Sequence, residues 1–178
     1  MDAIPTFTRG GPAFNNFDLI KSISQAESGI FPSLFPGSNT DEVNHNRRMQ
    51  SKSSAIVSIL LPDCDNLIVS YLVMQNKAGN CHIISFGTTE GFRSQGFGRK
   101  VLVSALEHAH GHFKSTSANL VVSVDAVAAI SLYSSLGFVE EDFLKSYYSD
   151  GSDGIFMAAA VLNGSSSGVF GGGGQKKN

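Results

Sequence analysis

The sequence predicts an α+β fold, a mostly antiparallel mixed sheet of about six to seven strands with helices on its faces. Three observations point there. Residues 55–87 hold three consecutive runs rich in Val, Ile, Leu and Tyr, separated by the short polar stretches 63–66 and 76–80, the signature of an antiparallel meander. A run of helical periodicity then lies between two strand-like runs, which should set two parallel strands side by side. The chain then closes with two further runs joined by Ser149-Asp150-Gly151-Ser152-Asp153, a hairpin connection.

The elements follow in order. Leu19, Ile23, Ala26 and Ile30 fall at helical spacing, predicting a helix over 17–29 that Pro32 stops. Residues 31–37 form an apolar loop, and 41–48 are polar and read as a short helix or a loop. Strands are expected over 55–61, 67–75 and 81–87. Val101, Leu102, Ala105, Leu106 and Ala109 line one face of a helix over 96–111. A buried strand follows over 120–124. Asp125 is placed to cap a helix over 126–136, with Gly137 as its left-handed terminator. Strands over 138–147 and 154–161 complete the order. Residues 1–14 lack periodicity and are expected to be flexible. The Gly/Ser-rich stretch 163–178 buries too little apolar surface to order itself and is expected to be a disordered tail. One domain over 15–162 remains.

Composition narrows the function. The 178 residues are 42% hydrophobic and 16% charged, with a net charge of -2, so no broad basic field exists to hold nucleic acid or an anionic membrane. Lys176-Lys177 is too short a basic run to change that. Cys64 and Cys81 make no disulfide framework, and reduced thiols in the cytoplasm are the simplest expectation. No apolar run approaches the length of a membrane span. His108, His110 and His112 sit at a helix C-terminus, where imidazolium suits the dipole; no metal is expected.

The chemistry concentrates between the third run and the long helix. Gly96 and Gly98 let the backbone approach a ligand. The unpaired amides of the first helical turn favour an anion, and Arg93, Arg99 and Lys100 add positive charge beside them. Together these make a local anion cradle. The G-K-[ST] ending of a Walker loop is absent, and so are the third glycine and following acid of a dinucleotide fingerprint.

Arg93-Ser94-Gln95-Gly96-Phe97-Gly98 resembles motif A of the GNAT acetyltransferases, R/Q-x-x-G-x-G/A. The stretch from Ala129 to Phe138 is similar to that family's A-x-x-L-Y-x-x-L-G-F. The resemblance implies an acetyl-CoA-dependent N-acetyltransferase, with the 93–100 loop holding the pyrophosphate of acetyl-CoA. Phe86, Gly87 and Thr88 would pair with the pantetheine arm. No metal is implied.

A finer likeness concerns the acceptor. The run from Tyr147 to Met157 resembles the Y-Y-x-D-G-x-D-A-x-x-M hairpin of protein Nα-acetyltransferases, and Ile30-Phe31-Pro32 resembles their F-P loop. By that resemblance Phe31, Pro32, Phe35, Tyr147 and Tyr148 would grip the N-terminus of a substrate protein, and an auxiliary subunit would join it as a partner, as in some members of the family. Tyr133 would donate to the CoA sulfur, and His82 would act as base through a water. The chain departs from the pattern twice: Val121 stands where a histidine is usual, and Ala126 where an asparagine is. A GNAT acting on lysine or on a small amine, and a non-catalytic CoA-binding module, are the alternatives.

Overall fold

The computed structural model describes residues 4–11, 16–30, 39–61 and 67–161. Along them run β1 (Thr6–Arg9), α1 (Phe17–Ile30), α2 (Asn39–Met49), β2 (Ser54–Leu61), β3 (Leu67–Lys77), β4 (Asn80–Thr88), α3 (Phe97–Phe113), β5 (Ser117–Ser123), α4 (Val127–Ser134), β6 (Val139–Leu144) and β7 (Gly154–Ala160). The hydrogen-bonded strand order is β1-β2-β3-β4-β5-β7-β6, a seven-stranded mixed sheet. The expected α+β class and the expected parallel pair, β4 with β5, are both present. Two compact units divide the chain. Among the described residues, the first runs to Asn76 and takes in Ile83–Ala105; the second holds Lys77–His82 and the residues from Leu106 onward.

In the first unit, α1 begins where Asn16 Oδ1 accepts the amide of Leu19 at 3.2 Å, a side-chain cap on the third helical residue. Its apolar stripe of Leu19, Ile20 and Ile23 packs with Met49 of α2 and with Ile56, Ile68, Tyr71 and Val73 of the strands. Strands β2 and β3 are buried along most of their length, so they read as continuous apolar runs rather than alternating ones.

In the second unit, β5 pairs with β7 through seven residues, and β7 with β6. Strand β6 is exposed for most of its length and carries Glu140, Glu141 and Asp142, charges suited to a sheet edge. Among the described residues no helix is long and apolar enough to cross a membrane.

Several boundaries differ from the sequence expectation. Residues 6–9, read as part of a segment without regular structure, form β1 and pair antiparallel with β2; the ladder is supplied by β2's edge and needs no alternation in β1. Residues 39–49 form a helix, the first of the two readings left open for 41–48 and slightly longer than that span. Strand β5 starts at Ser117 rather than 120. Asp125 does not cap α4: Ala126 holds that position and makes no side-chain bond. Helix α3 runs through Gly111 to Phe113, where Lys114 takes a left-handed φ of 56° and its Nζ donates to the Gly111 carbonyl at 2.8 Å.

Strands β3 and β4 are joined by Ala78 and Gly79 alone, with φ of 50° and 79°. Two positive φ values make the primed turn that matches strand twist. Alanine is a poor occupant of the first position, because its Cβ crowds the backbone there. Ala78→Asn is expected to stabilise the protein by about 1 kcal/mol, visible as a rise of roughly 2–4 °C in thermal denaturation.

Candidate functional site

The anion loop belongs to the first unit and is built by its own backbone. Strand β4 ends at Thr88, whose Oγ1 lies 3.0 Å from Ser70 Oγ; the same Ser70 hydroxyl donates to the Gly87 carbonyl. Thr89 is tied to β3 twice, by its amide to the Val69 carbonyl and by its hydroxyl to the Ile68 carbonyl. A single 3₁₀ turn, Glu90–Phe92, follows. Arg93 then folds back, its Nε donating to the Thr88 carbonyl at 3.2 Å, and Gln95 Nε2 donates to the Gly91 carbonyl. Ser94 and Gly96 take left-handed φ values of 60° and 82°.

Helix α3 opens at Gly96, whose carbonyl accepts the amide of Lys100 at 3.0 Å. The amides ahead of Lys100 precede the helical ladder and have no intrahelical acceptor. Phe97 anchors the first turn, edge-to-face with Phe92 at 6.2 Å and beneath the Lys100 ammonium at 5.9 Å. Arg93, Ser94, Gln95, Gly96, Arg99 and Lys100 are exposed, and Phe97 and Gly98 half-buried. The structure therefore gathers Phe86, Gly87, Thr88 and residues 93–100 into one strand–turn–helix. Exposed amides, a helix N-terminus and three cationic side chains suit a diphosphate.

The second unit carries the remaining described residues. Strand β4 pairs with β5 through three residue pairs, Asn80–Ser117, Cys81–Ala118 and His82–Asn119. The ladder stops there, although β4 continues to Thr88. His82 is half-buried on one face. Cys81, on the other, is 1% exposed. Burial pushes the Cys81 thiol up to about 12, so it holds no thiolate to act as a nucleophile.

Tyr133 is the penultimate residue of α4, and the turn that ends the helix fixes it. Gly137 takes a φ of 86° and donates its amide to the Ser134 carbonyl; Phe138 donates to the Tyr133 carbonyl at 3.1 Å. This pair of bonds is the Schellman arrangement, and its usual apolar contact is present: the Phe138 and Tyr133 rings are 5.7 Å apart. Tyr133 is 5% exposed. Burial, reinforced by the neighbouring Tyr148 phenol, raises its pKa well above that of a free tyrosine. Tyr133 thus remains a neutral phenol, a hydrogen-bond donor across the working range of pH.

Asp150, Gly151, Ser152 and Asp153 each have a backbone task in the 147–154 hairpin. Asp150 Oδ1 accepts the amide and the hydroxyl of Ser152, and those bonds hold its carboxyl below the usual range. Gly151 supplies a φ of 85° and donates to the Tyr148 carbonyl. Asp153 Oδ1 accepts the Ser146 amide at 2.7 Å, which closes the loop. Tyr147 and Tyr148 therefore stand edge-to-face at 5.0 Å, Tyr147 exposed and Tyr148 half-buried. Burial of Tyr148, followed by the nearby Tyr147 and Asp150, raises its phenol to about 12. Beneath them Gly154 leaves no room for a side chain: an added Cβ would lie 2.9 Å from Val121 Cγ1 and 3.3 Å from Tyr147 Cβ.

Phe31, Pro32 and Phe35, the other expected acceptor contacts, lie outside the described residues. The histidines of α3 have packing roles: His108 lies against His112 and Phe113, and a His110 ring nitrogen is 3.2 Å from the Ser115 carbonyl. Sequence reading passed over Asn80, Asn119 and Gly154, whose surroundings only the strand register reveals.

Comparison with known proteins agrees with the geometry. The profile of a family described as "Acetyltransferase (GNAT) family" matches residues 21–138. An N-alpha-acetyltransferase of Sulfurisphaera tokodaii is 35% identical over 80 residues, 45% of this chain and 48% of the relative, so the match spans about half of that protein's length. An uncharacterised N-acetyltransferase of Methanocaldococcus jannaschii is 29% identical over 138 residues, covering 69% of this chain and 86% of the relative. In fold, the chain is similar to the ribosomal-protein-S18-alanine N-acetyltransferase of Escherichia coli, with a TM-score of 0.70 at 20% identity over 91% of this chain and 97% of that one.

Two outcomes follow from this geometry. A Cβ at Gly96 would meet nothing within 4 Å, so Gly96→Ala tests the backbone alone. Left-handed strain of about 1–2 kcal/mol is expected to weaken acetyl-CoA binding roughly 10-fold, measured by calorimetry, with the melting temperature little changed. The second concerns alkali. Tyr148 and Tyr133 hold their protons in the folded state above the unfolded value of 10.0. Their contribution to stability is complete below pH 10 and is lost as pH rises toward 12 and beyond. Urea denaturation between pH 9 and 11.5 should show that loss, and Tyr133→Phe should flatten it.

Proposed function

The chain belongs to the GNAT family of acetyltransferases, and we propose that it transfers the acetyl group of acetyl-CoA to the α-amine of protein N-termini, by direct attack within a ternary complex. The observation that carries the choice of acceptor is the 147–154 hairpin. Its Asp150, Gly151 and Asp153 are all spent on backbone geometry, and what that geometry presents is the Tyr147–Tyr148 pair. Rigid phenols with an apolar body and a polar tip suit the first residues of an extended peptide. The N-alpha-acetyltransferase of Sulfurisphaera tokodaii supports the same acceptor.

Roles follow from chemistry. The 93–100 loop holds the pyrophosphate with its amides and cations. The end of β4, at Phe86, Gly87 and Thr88, offers backbone to the pantetheine arm. The acceptor amine must be neutral to attack, and His82 receives its proton through a water. As the new C–N bond forms and the C–S bond breaks, charge develops on sulfur, and the Tyr133 phenol donates a hydrogen bond to it. A phenol held so far above a thiol's ordinary pKa keeps its proton until that charge appears. A covalent acetyl-cysteine at Cys81 has no place in this scheme, because its thiol is buried and protonated.

The test is to incubate the protein with acetyl-CoA and peptides whose α-amine or lysine ε-amine is selectively blocked, reading products by mass spectrometry. Acetylation of free α-amines is expected, and Tyr133→Phe should lower kcat by about 10- to 100-fold with acetyl-CoA binding retained. Acetylation confined to lysine or to polyamines would overturn the choice of acceptor.

A further inference from the structure

The face of the β4–β5 ladder that carries His82 holds more polar capacity than the described residues use. Residues paired in register share a face, so Asn80 and His82 of β4 lie with Ser117 and Asn119 of β5. The opposite face, with Cys81, Ala118, Leu120 and Met157, is apolar and buried. Asn119, 8% exposed, brings a buried carboxamide to this face. Asn80 Oδ1 is wholly buried without a hydrogen-bond partner among the described residues. His82 stands between them, half-buried, beside Asn119 across the ladder.

A buried polar group left unpaired costs on the order of 1–3 kcal/mol, and native proteins pair nearly all of them. Leucine is close to asparagine in shape and would suit the burial at position 119 without a polar group. One unpaired carboxamide oxygen beside an imidazole, with a second buried carboxamide across the ladder, therefore marks a place where something polar completes them. Water is the smallest species that does so; it needs two to four polar partners, and an amide oxygen, an amide nitrogen and an imidazole nitrogen supply them. A carboxamide cannot take up a proton, so neither asparagine competes with His82 for it.

We propose that Asn119, together with Asn80, holds a water against the His82 imidazole, and that Asn119 is thereby a positioning residue fixing which ring nitrogen faces the acceptor amine. The proton leaves the amine nitrogen for that water as the water passes one of its own to His82, so the water is unchanged at the end. This rests on the reading of His82 as the base.

The experiment uses the full chain labelled with ¹⁵N-histidine. His82 is identified by the signal missing from His82→Asn, and its tautomer is read from long-range ¹H–¹⁵N couplings. The parent should show one neutral tautomer. Asn119→Leu should show a mixture, with kcat on the acceptor peptide reduced about 10-fold and acetyl-CoA binding unchanged. Asn119→Ser, which keeps a hydrogen-bonding group, should restore most of both and stands in if the leucine variant does not fold. An unaltered His82 spectrum and kcat in these variants would overturn the proposal. Should His82→Asn retain full kcat, the base assignment falls instead, and the tautomer readout alone still decides whether Asn119 sets the ring.

Discussion

The parallel ladder between β4 and β5 lasts for three residue pairs and ends at His82 and Asn119, and the rest of β4 takes its form from that early end. Backbone amides and carbonyls are obligatory hydrogen-bonding groups, so a strand that outlasts one neighbour depends on the other. Here β4 remains paired with β3, and side chains reinforce that pairing: Ser70 to Gly87 and Thr88, Tyr71 to Ser85, and, just past the strand, Thr89 back to Ile68. Those bonds leave little freedom in the strand that feeds the anion loop. The loop's direction is therefore set before its glycines act, and Gly96 needs only to complete the bend into α3.

Tyrosine placement in the second unit follows from equally local devices. One left-handed glycine ends α4 and seats Tyr133 against Phe138. Another, with two aspartates, folds the loop that carries Tyr147 and Tyr148. Burial, with help from the Tyr148 phenol, then raises the pKa of Tyr133. A buried phenol and an exposed aromatic pair are thus products of two chain reversals, each of which closes within a few residues.

That locality explains what the sequence reveals. Gly96, Gly137 and Gly151 occupy positions where the backbone demands positive φ, and a demand of that kind leaves its mark in the residue itself. The apolar face of α3 and the valine-rich strands are legible because burial imposes a period. Strand β1 is not, since Thr6–Arg9 is recruited by the edge of β2 rather than by any pattern of its own. Asp125 has the composition of a cap without the role, because capping depends on backbone angles that Ala126 supplies instead. Asn80 and Asn119 are invisible for a deeper reason: 39 positions separate them, and only register makes them neighbours of His82.

Gly154 and Val121 share one volume. The space a methyl group would occupy at 154 is already filled by a valine methyl and by Tyr147. A larger residue at 154 therefore demands movement of Val121 or Tyr147, and a bulkier side chain grafted at 121 presses on the same backbone. The two positions are thus epistatic: the effect of a substitution at one depends on what stands at the other.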